Sequence, residues 1–200
     1  MEQGHYIFDY FSEDRKIENI EMSIGGIHNI ENACAAISIC LHVGLSVSDI
    51  ISGLKSFKGV KRRFERIIDG EFVFIDDYAH HPTEIMSVYN SLKNLFIEKK
   101  IVAVFQPHLF SRTKDFYKDF AKSLDGFDEV LLLPVYPARE LPISGVSTKL
   151  ILDEMENENA RLVDKDELLN YIEEKNFDVL VTLGAGDIDK LVNPIKEILK

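Results

Sequence analysis

The run Asp76-Asp77-Tyr78-Ala79-His80-His81-Pro82 concentrates carboxylates, a phenol and imidazoles in one short stretch. A carboxylate accepts hydrogen bonds from both hydroxyls of a diol, which makes Asp77 a candidate for holding a sugar. An imidazole exchanges protons near neutral pH, so His80 could accept a proton or stabilise an anionic intermediate. A dedicated zinc site is not expected, because adjacent side chains of an extended segment point apart. The run follows the apolar stretch Phe72-Val73-Phe74-Ile75 and precedes a helical pattern from about Thr83. It therefore sits at the carboxyl end of a predicted strand, where open α/β sheets bind ligands.

Further polar loops recur at the same place in the pattern. Gln106-Pro107-His108-Leu109-Phe110-Ser111-Arg112 follows Ile101–Phe105, and Pro137-Ala138-Arg139-Glu140 lies beyond Glu129–Leu133. Thr182-Leu183-Gly184-Ala185-Gly186-Asp187 ends Val179–Leu183. Arg112, Arg139 and Glu140 could hold the carboxylate and amine of an amino acid, although a lone arginine at a helix start also makes surface salt bridges. Gly184 and Gly186 alone suggest a tight strand-to-helix turn. Polar loops gathered on one edge of one sheet make a site. Upstream, Asn29 and Asn32 share a face of a helix's first turn, and their carboxamides suit the edge of a purine. Taken alone, Asn29 reads first as a helix cap, a routine job for asparagine. Arg62-Arg63 could pair with phosphates, or be a solvated basic linker.

The elements that position these residues alternate. Strands are predicted at 5–11 and 17–24, a helix at 29–43 ending at Gly44, and a second helix at 47–57 capped by Ser46. After the glycine-bearing, basic segment Lys58–Arg63, strands at 64–68 and 72–75 precede a helix at 83–96. Then come strand 101–105, helix 113–124, strand 129–133, helix 148–155, strand 160–163, helix 167–174, strand 179–183 and helix 188–199. Such alternation implies parallel pairing in a doubly wound α/β sheet. Residues 1–60, two strands and two helices, read as the end of a domain, and 61–200 as a domain in its own right.

The chain has 200 residues, 46% of them hydrophobic and 28% charged, enough for a buried core. A net charge of −11 argues against general binding to nucleic acid or anionic membranes. Cys34 and Cys40 are the only cysteines, and read as buried thiols of a reduced protein. With no membrane-length apolar run and no secretory signal at the amino terminus, the expectation is a cytoplasmic protein.

Taken in order, His28-Asn29-x-x-Asn32-Ala33, Gly59-Val60-Lys61-Arg62-Arg63-Phe64-Glu65, Asp76 to Pro82, Phe105-Gln106-Pro107-His108, Pro137-Ala138-Arg139-Glu140 and Gly184-Ala185-Gly186-Asp187-Ile188 resemble the Mur ligase family. The likeness runs along essentially the whole chain and is strongest to members that add the first amino acid to the peptidoglycan precursor. It implies that 1–60 closes a central ATP-binding domain and that 61–200 is the Rossmann-like C-terminal domain. It also implies ATP-dependent joining of L-alanine to UDP-N-acetylmuramate through an acyl phosphate, in support of cell-wall synthesis. By motif, His28, Asn29 and Asn32 would line the adenine pocket, Arg63 would reach the phosphates, Asp77 the ribose, and Tyr78 the nucleotide's surroundings. His80 and Arg112 would face the acyl-phosphate and amino-acid region, with His108, Arg139 and Glu140 binding substrate.

Two departures stand out. Leu109 occupies a position where many relatives carry arginine. The phosphate loop G-x-x-x-x-G-K-[ST] is absent from these residues, as is the domain that would bind the uridine nucleotide. The chain therefore reads as a C-terminal fragment, inactive alone, with its partner segments and the main Mg2+ ligands elsewhere. Rival readings are the ligase that recycles a whole tripeptide, a non-catalytic nucleotide-binding module, and a dinucleotide oxidoreductase built on Gly184-Ala185-Gly186.

Overall fold

The computed structural model describes residues 6–22, 24 and 27–200, without the side chain of His28. The start of the first predicted strand, Gly25-Gly26 and the His28 side chain thus lie outside the described residues. The amino-terminal unit pairs β1 (Tyr6–Phe11) with β2 (Lys16–Met22) as an antiparallel hairpin, followed by α1 (Ile27–His42) and α2 (Val47–Ser56). Tyr10, Ile17, Ile20, Ile37 and Ile50 form its small core. Ser46 caps α2 as expected, its hydroxyl accepting from the amide of Asp49. Asn29 lies inside α1, not at its cap. The two cysteines are free and half-buried against the same core, more accessible than the sequence led us to expect.

The larger unit is a six-stranded sheet. Its strands are β3 (Glu65–Asp69), β4 (Val73–Asp77), β5 (Ile101–Phe105), β6 (Glu129–Leu132), β7 (Ala160–Leu162) and β8 (Val179–Leu183), in spatial order β3-β4-β8-β5-β6-β7. All neighbours are parallel except β3, which forms an antiparallel hairpin with β4. Side chains alternate across the sheet, as a strand's period of two requires. Ile75, Ala103, Phe105 and Leu132 face α3 (Pro82–Leu95), α4 (Phe110–Leu124) and α5 (Lys149–Leu152). Phe74, Val102, Val104 and Leu131 face α6 (Lys165–Glu173) and α7 (Val192–Leu199).

Most predicted elements recur within a few residues, and the differences have local causes. α4 begins at Phe110, ahead of the predicted start, because a distant carboxylate caps it. The predicted helix at 148–155 contracts to α5, and that at 188–199 divides into a 3₁₀ turn, Asp187–Leu191, and α7. The last strand returns to the middle of the sheet, between β4 and β5. This brings the loops after β4, β5, β6 and β8 to one edge. No helix among the described residues is long and apolar enough to cross a membrane.

Candidate functional site

Asp76 and Asp77, neighbours in sequence, have separate environments. Asp76 is 1% exposed and pairs with Arg62 Nε at 2.9 Å, while accepting from the Thr182 hydroxyl at 2.7 Å. Arg62 also donates to the carbonyl of Gly184 at 2.6 Å and lies over the Tyr78 ring. Its guanidinium is therefore committed to the fold, and of the basic pair only the exposed Arg63 is left for a ligand. Asp77 accepts from the amides of Phe64 and Ala79, each at 2.7 Å, and faces a cleft. Burial pushes its carboxyl up to about 6, against the opposing effect of the two amides, with Asp76 and Glu84 adding to the rise.

That cleft encloses about 410 Å³ and joins the two units, with Asn32 of α1 on one wall and Arg63, Asp77 and Tyr78 on the other. A second cleft of about 450 Å³ shares Asn32 and Arg63 and adds Asn29 between apolar walls that include Ala33, Ala36 and Leu54. Carboxamides against flat apolar surfaces suit a purine, and the carboxylate and guanidinium suit a sugar and phosphates.

The histidines divide in the same way. His81 caps α3, its Nδ1 2.8 Å from the Thr83 hydroxyl and its ring on Phe116. Glu84 completes the capping box by accepting from the amides of His80 and His81. His80 follows the cleft-lining Ala79, with Nδ1 3.0 Å from the carbonyl of Tyr78. Its ring meets that of His108 edge-on, centroids 6.2 Å apart. His108 in turn stacks on Tyr136 at 5.8 Å. Burial, then the positive charge of Arg112 and the neighbouring His80, hold His108 below the ordinary imidazole range, and Glu140 partly offsets them. Nδ1 of His108 and Nη1 of Arg112 are buried without a hydrogen-bond partner. Such orphaned polar atoms call for a partner such as a ligand or water. A guanidinium nitrogen left open in this way suits an anionic group such as a carboxylate or phosphate.

Glu140 has other partners than the amine expected for it. It accepts from the amide of Ser111 at 2.9 Å and from its hydroxyl at 2.5 Å, at the amino terminus of α4. These bonds hold its carboxyl below the usual range. Arg139 is exposed on the same loop and, among the described residues, takes no part in these contacts. Leu109 precedes α4 with φ +71° and no side-chain cap, its amide donating to the carbonyl of Tyr136. Neither Tyr136 nor Gln106 was assigned a role from sequence, although Gln106 stands in a motif quoted above and Tyr136 immediately precedes another.

The Gly184-Ala185-Gly186 turn holds protein where a dinucleotide fold would hold phosphate. Gly184 has φ +144°, and a Cβ there would come within 2.7 Å of the Gln106 carbonyl oxygen. A Cβ at Gly186 would collide with Gln106 Oε1 and Tyr136. The glycines thus admit the Gln106 side chain, and the oxidoreductase reading loses its motif.

Residues 62–186 match the family model described as Mur ligase, glutamate ligase domain. The chain belongs to the Mur ligase family. Across its whole length, this Mur ligase chain is 50% identical to the UDP-N-acetylmuramate–L-alanine ligase of Flavobacterium psychrophilum and 47% identical to that of Porphyromonas gingivalis. It spans only 45% and 44% of those relatives. Among solved structures it resembles the UDP-N-acetylmuramate–alanine ligase of Thermotoga maritima, with TM-score 0.73 and 30% identity, covering 90% of this chain and 40% of that one. A murein peptide ligase from Psychrobacter arcticus shares the fold at TM-score 0.61 and 22% identity, covering 94% of this chain and 40% of that one.

Proposed function

We propose that this Mur ligase chain supplies the C-terminal part of an ATP-dependent ligase that joins L-alanine to UDP-N-acetylmuramate. In this reading residues 1–60 end the central ATP-binding domain, and 61–200 form the domain that closes over the nucleotide. The observation that carries the reading is the grouping of His80, His108 and the unpartnered Nη1 of Arg112 on the same sheet edge as a cleft lined by Asn32, Arg63 and Asp77.

His28, Asn29 and Asn32 would contact adenine, Asp77 the ribose, Tyr78 its surroundings, and Arg63 the phosphates. ATP supplies the phosphoryl group that activates the muramate carboxylate. The chain's own contribution is electrostatic: Arg112 would offer preorganised positive charge, and His108 a hydrogen bond, where an acyl phosphate and a tetrahedral intermediate concentrate negative charge. His80, next in sequence to the cleft-lining Ala79, would accept the proton of the attacking amine. His108 and Arg112 would orient the amino acid's carboxylate. Arg139 is close enough in sequence to join on domain closure, and Glu140 would act on the substrate through its hold on α4. The main Mg2+ ligands and the phosphate loop would come from polypeptide outside these residues, so the chain alone would not turn over.

The test is phosphate release from ATP, UDP-N-acetylmuramate and L-alanine, using the chain mixed with the amino-terminal part of a relative. Alanine-dependent release only in the mixture is expected. Release with a tripeptide acceptor but not with alanine would overturn the substrate assignment. Turnover by the chain alone would overturn the division of labour.

A further inference from the structure

The ligand crevice of a doubly wound sheet opens where neighbouring strands send their connections to opposite faces. Here β8 lies between β4 and β5 and sends its connection to the face opposite both of theirs, and on its β5 side a side chain fills the gap. Gln106 Nε2 donates to Asp187 Oδ1 at 2.8 Å, and Oε1 accepts from the amide of Ile188 at 2.9 Å. Asp187 is held from outside by Lys165 of α6 at 2.7 Å. Gln106 is 3% exposed, and its backbone amide donates to Leu183. Next along the chain, the carbonyl of Pro107 accepts from the amide of Tyr136, and the amide of Leu109 donates to the Tyr136 carbonyl. This ladder sets the Tyr136 ring against His108.

We propose that Gln106 is the positioning residue of this site: clamped by Asp187 and Ile188, it fixes the β5 and β6 loops so that His108 is held against Tyr136 beside His80 and Arg112. It acts through the backbone and touches no substrate. The β5 side of the crevice is thus taken up by protein, while the cleft lined by Asn32, Arg63 and Asp77 is open. The importance of the position rests on the functional reading above, while the geometry of the clamp does not.

The clamp is testable without turnover. The groups facing His108 are His80, Arg112 and Glu140, with Tyr136 stacked on its ring. In Gln106→Leu, which has similar bulk and no hydrogen-bonding groups, the loop loosens and water reaches the imidazole. The NMR-monitored midpoint of His108 then moves up toward that of an ordinary histidine, and the His108–Tyr136 ring contacts in the NOE spectrum weaken. Asp187→Ala does the same to a smaller extent. Asp187→Asn, which keeps an acceptor for Nε2, restores the parent behaviour. A role in stability alone would lower the melting temperature of Gln106→Leu and leave His108 unmoved, and that result would overturn the proposal. If Gln106→Leu does not fold, the contrast between the two Asp187 variants decides. Failure of the ligase reading in the mixing assay leaves this outcome untouched.

Discussion

At the scale of single residues, adjacent side chains of the same type serve different ends, and burial separates them. Arg62 neutralises a nearly inaccessible Asp76, while Arg63 faces solvent at the mouth of both clefts. Removing one partner of a buried pair strands the other charge, at a cost of about 3–5 kcal/mol. Arg62→Met should therefore lower unfolding stability by that order in urea titrations. Arg63→Met should stay within about 0.5 kcal/mol of the parent. A loss under 1 kcal/mol for Arg62→Met would mean that Thr182 alone can satisfy Asp76. For Asp77 the carboxyl sits at about 6 in the fold, above its ordinary 3.8. A raised acid favours the folded state in its protonated form. Its contribution is complete below pH about 4 and is lost as pH rises through about 6, on the order of 3 kcal/mol. Asp178, Asp187, Glu140 and Glu197 are all lowered and run the other way, losing their contribution on acidification. The overall pH–stability curve therefore mixes both signs, and the carboxyl carbon of Asp77 is the signal to follow by NMR. A midpoint near that of a free aspartate would refute the burial argument. If Asp77 holds a ribose diol, adenosine diphosphate should bind up to about tenfold more tightly at pH 7 than at pH 5.

At the scale of elements, α4 depends on a residue outside itself. Leu109, at its cap position, offers no side-chain oxygen, and Glu140 supplies the missing acceptor from a loop about thirty residues further on. Glu140→Ala should cost about 0.5–2 kcal/mol, the range of a lost helix cap. Amide exchange should quicken in the first turn of α4 while its last turn stays protected. Uniform protection along α4 would show that packing of Phe120 and Leu124 suffices to start the helix. The same contact explains what the sequence could and could not disclose. Strand ends were legible because apolar runs stop abruptly at polar ones, and the polar loops could be placed on one edge from alternation alone. The antiparallel β3, joined to β4 by a short turn, was not separable from its parallel neighbours by composition. The early start of α4 was invisible because its cap is distant in sequence. Gly184 and Gly186 announced a tight turn but not the close approach behind it, since Gln106 reaches them from another strand. Arg62 and Arg63 were indistinguishable until the fold buried one of them.

At the scale of the whole molecule, the two units differ in how completely they cover their apolar surface. The six-stranded sheet is packed on both faces, with Phe74, Ile75, Val102, Val104, Leu131 and Leu180 inaccessible. The amino-terminal unit has a hairpin, two helices and a small core, while Phe11, Ile39, Val43 and Phe57 stand exposed. Two-stranded sheets are marginal in water, and the stability of a helix comes mostly from what its apolar face packs against. Opening of β1, β2 and α1 should therefore cost much less than global unfolding. In hydrogen exchange of the chain alone, amides of residues 6–57 should exchange faster than those of β4, β5, β6 and β8 by at least about a hundredfold, some 3 kcal/mol of differential opening. Equal protection in both units would show that the hairpin and α1 fold as part of the larger cooperative unit. Adding the amino-terminal part of a relative should raise protection selectively in 6–57, because a matching apolar surface covers Ile39, Val43 and Phe11. Protection that rises instead only around His80 and Arg112 would place the contact at the histidine edge and leave the exposed apolar face without a partner.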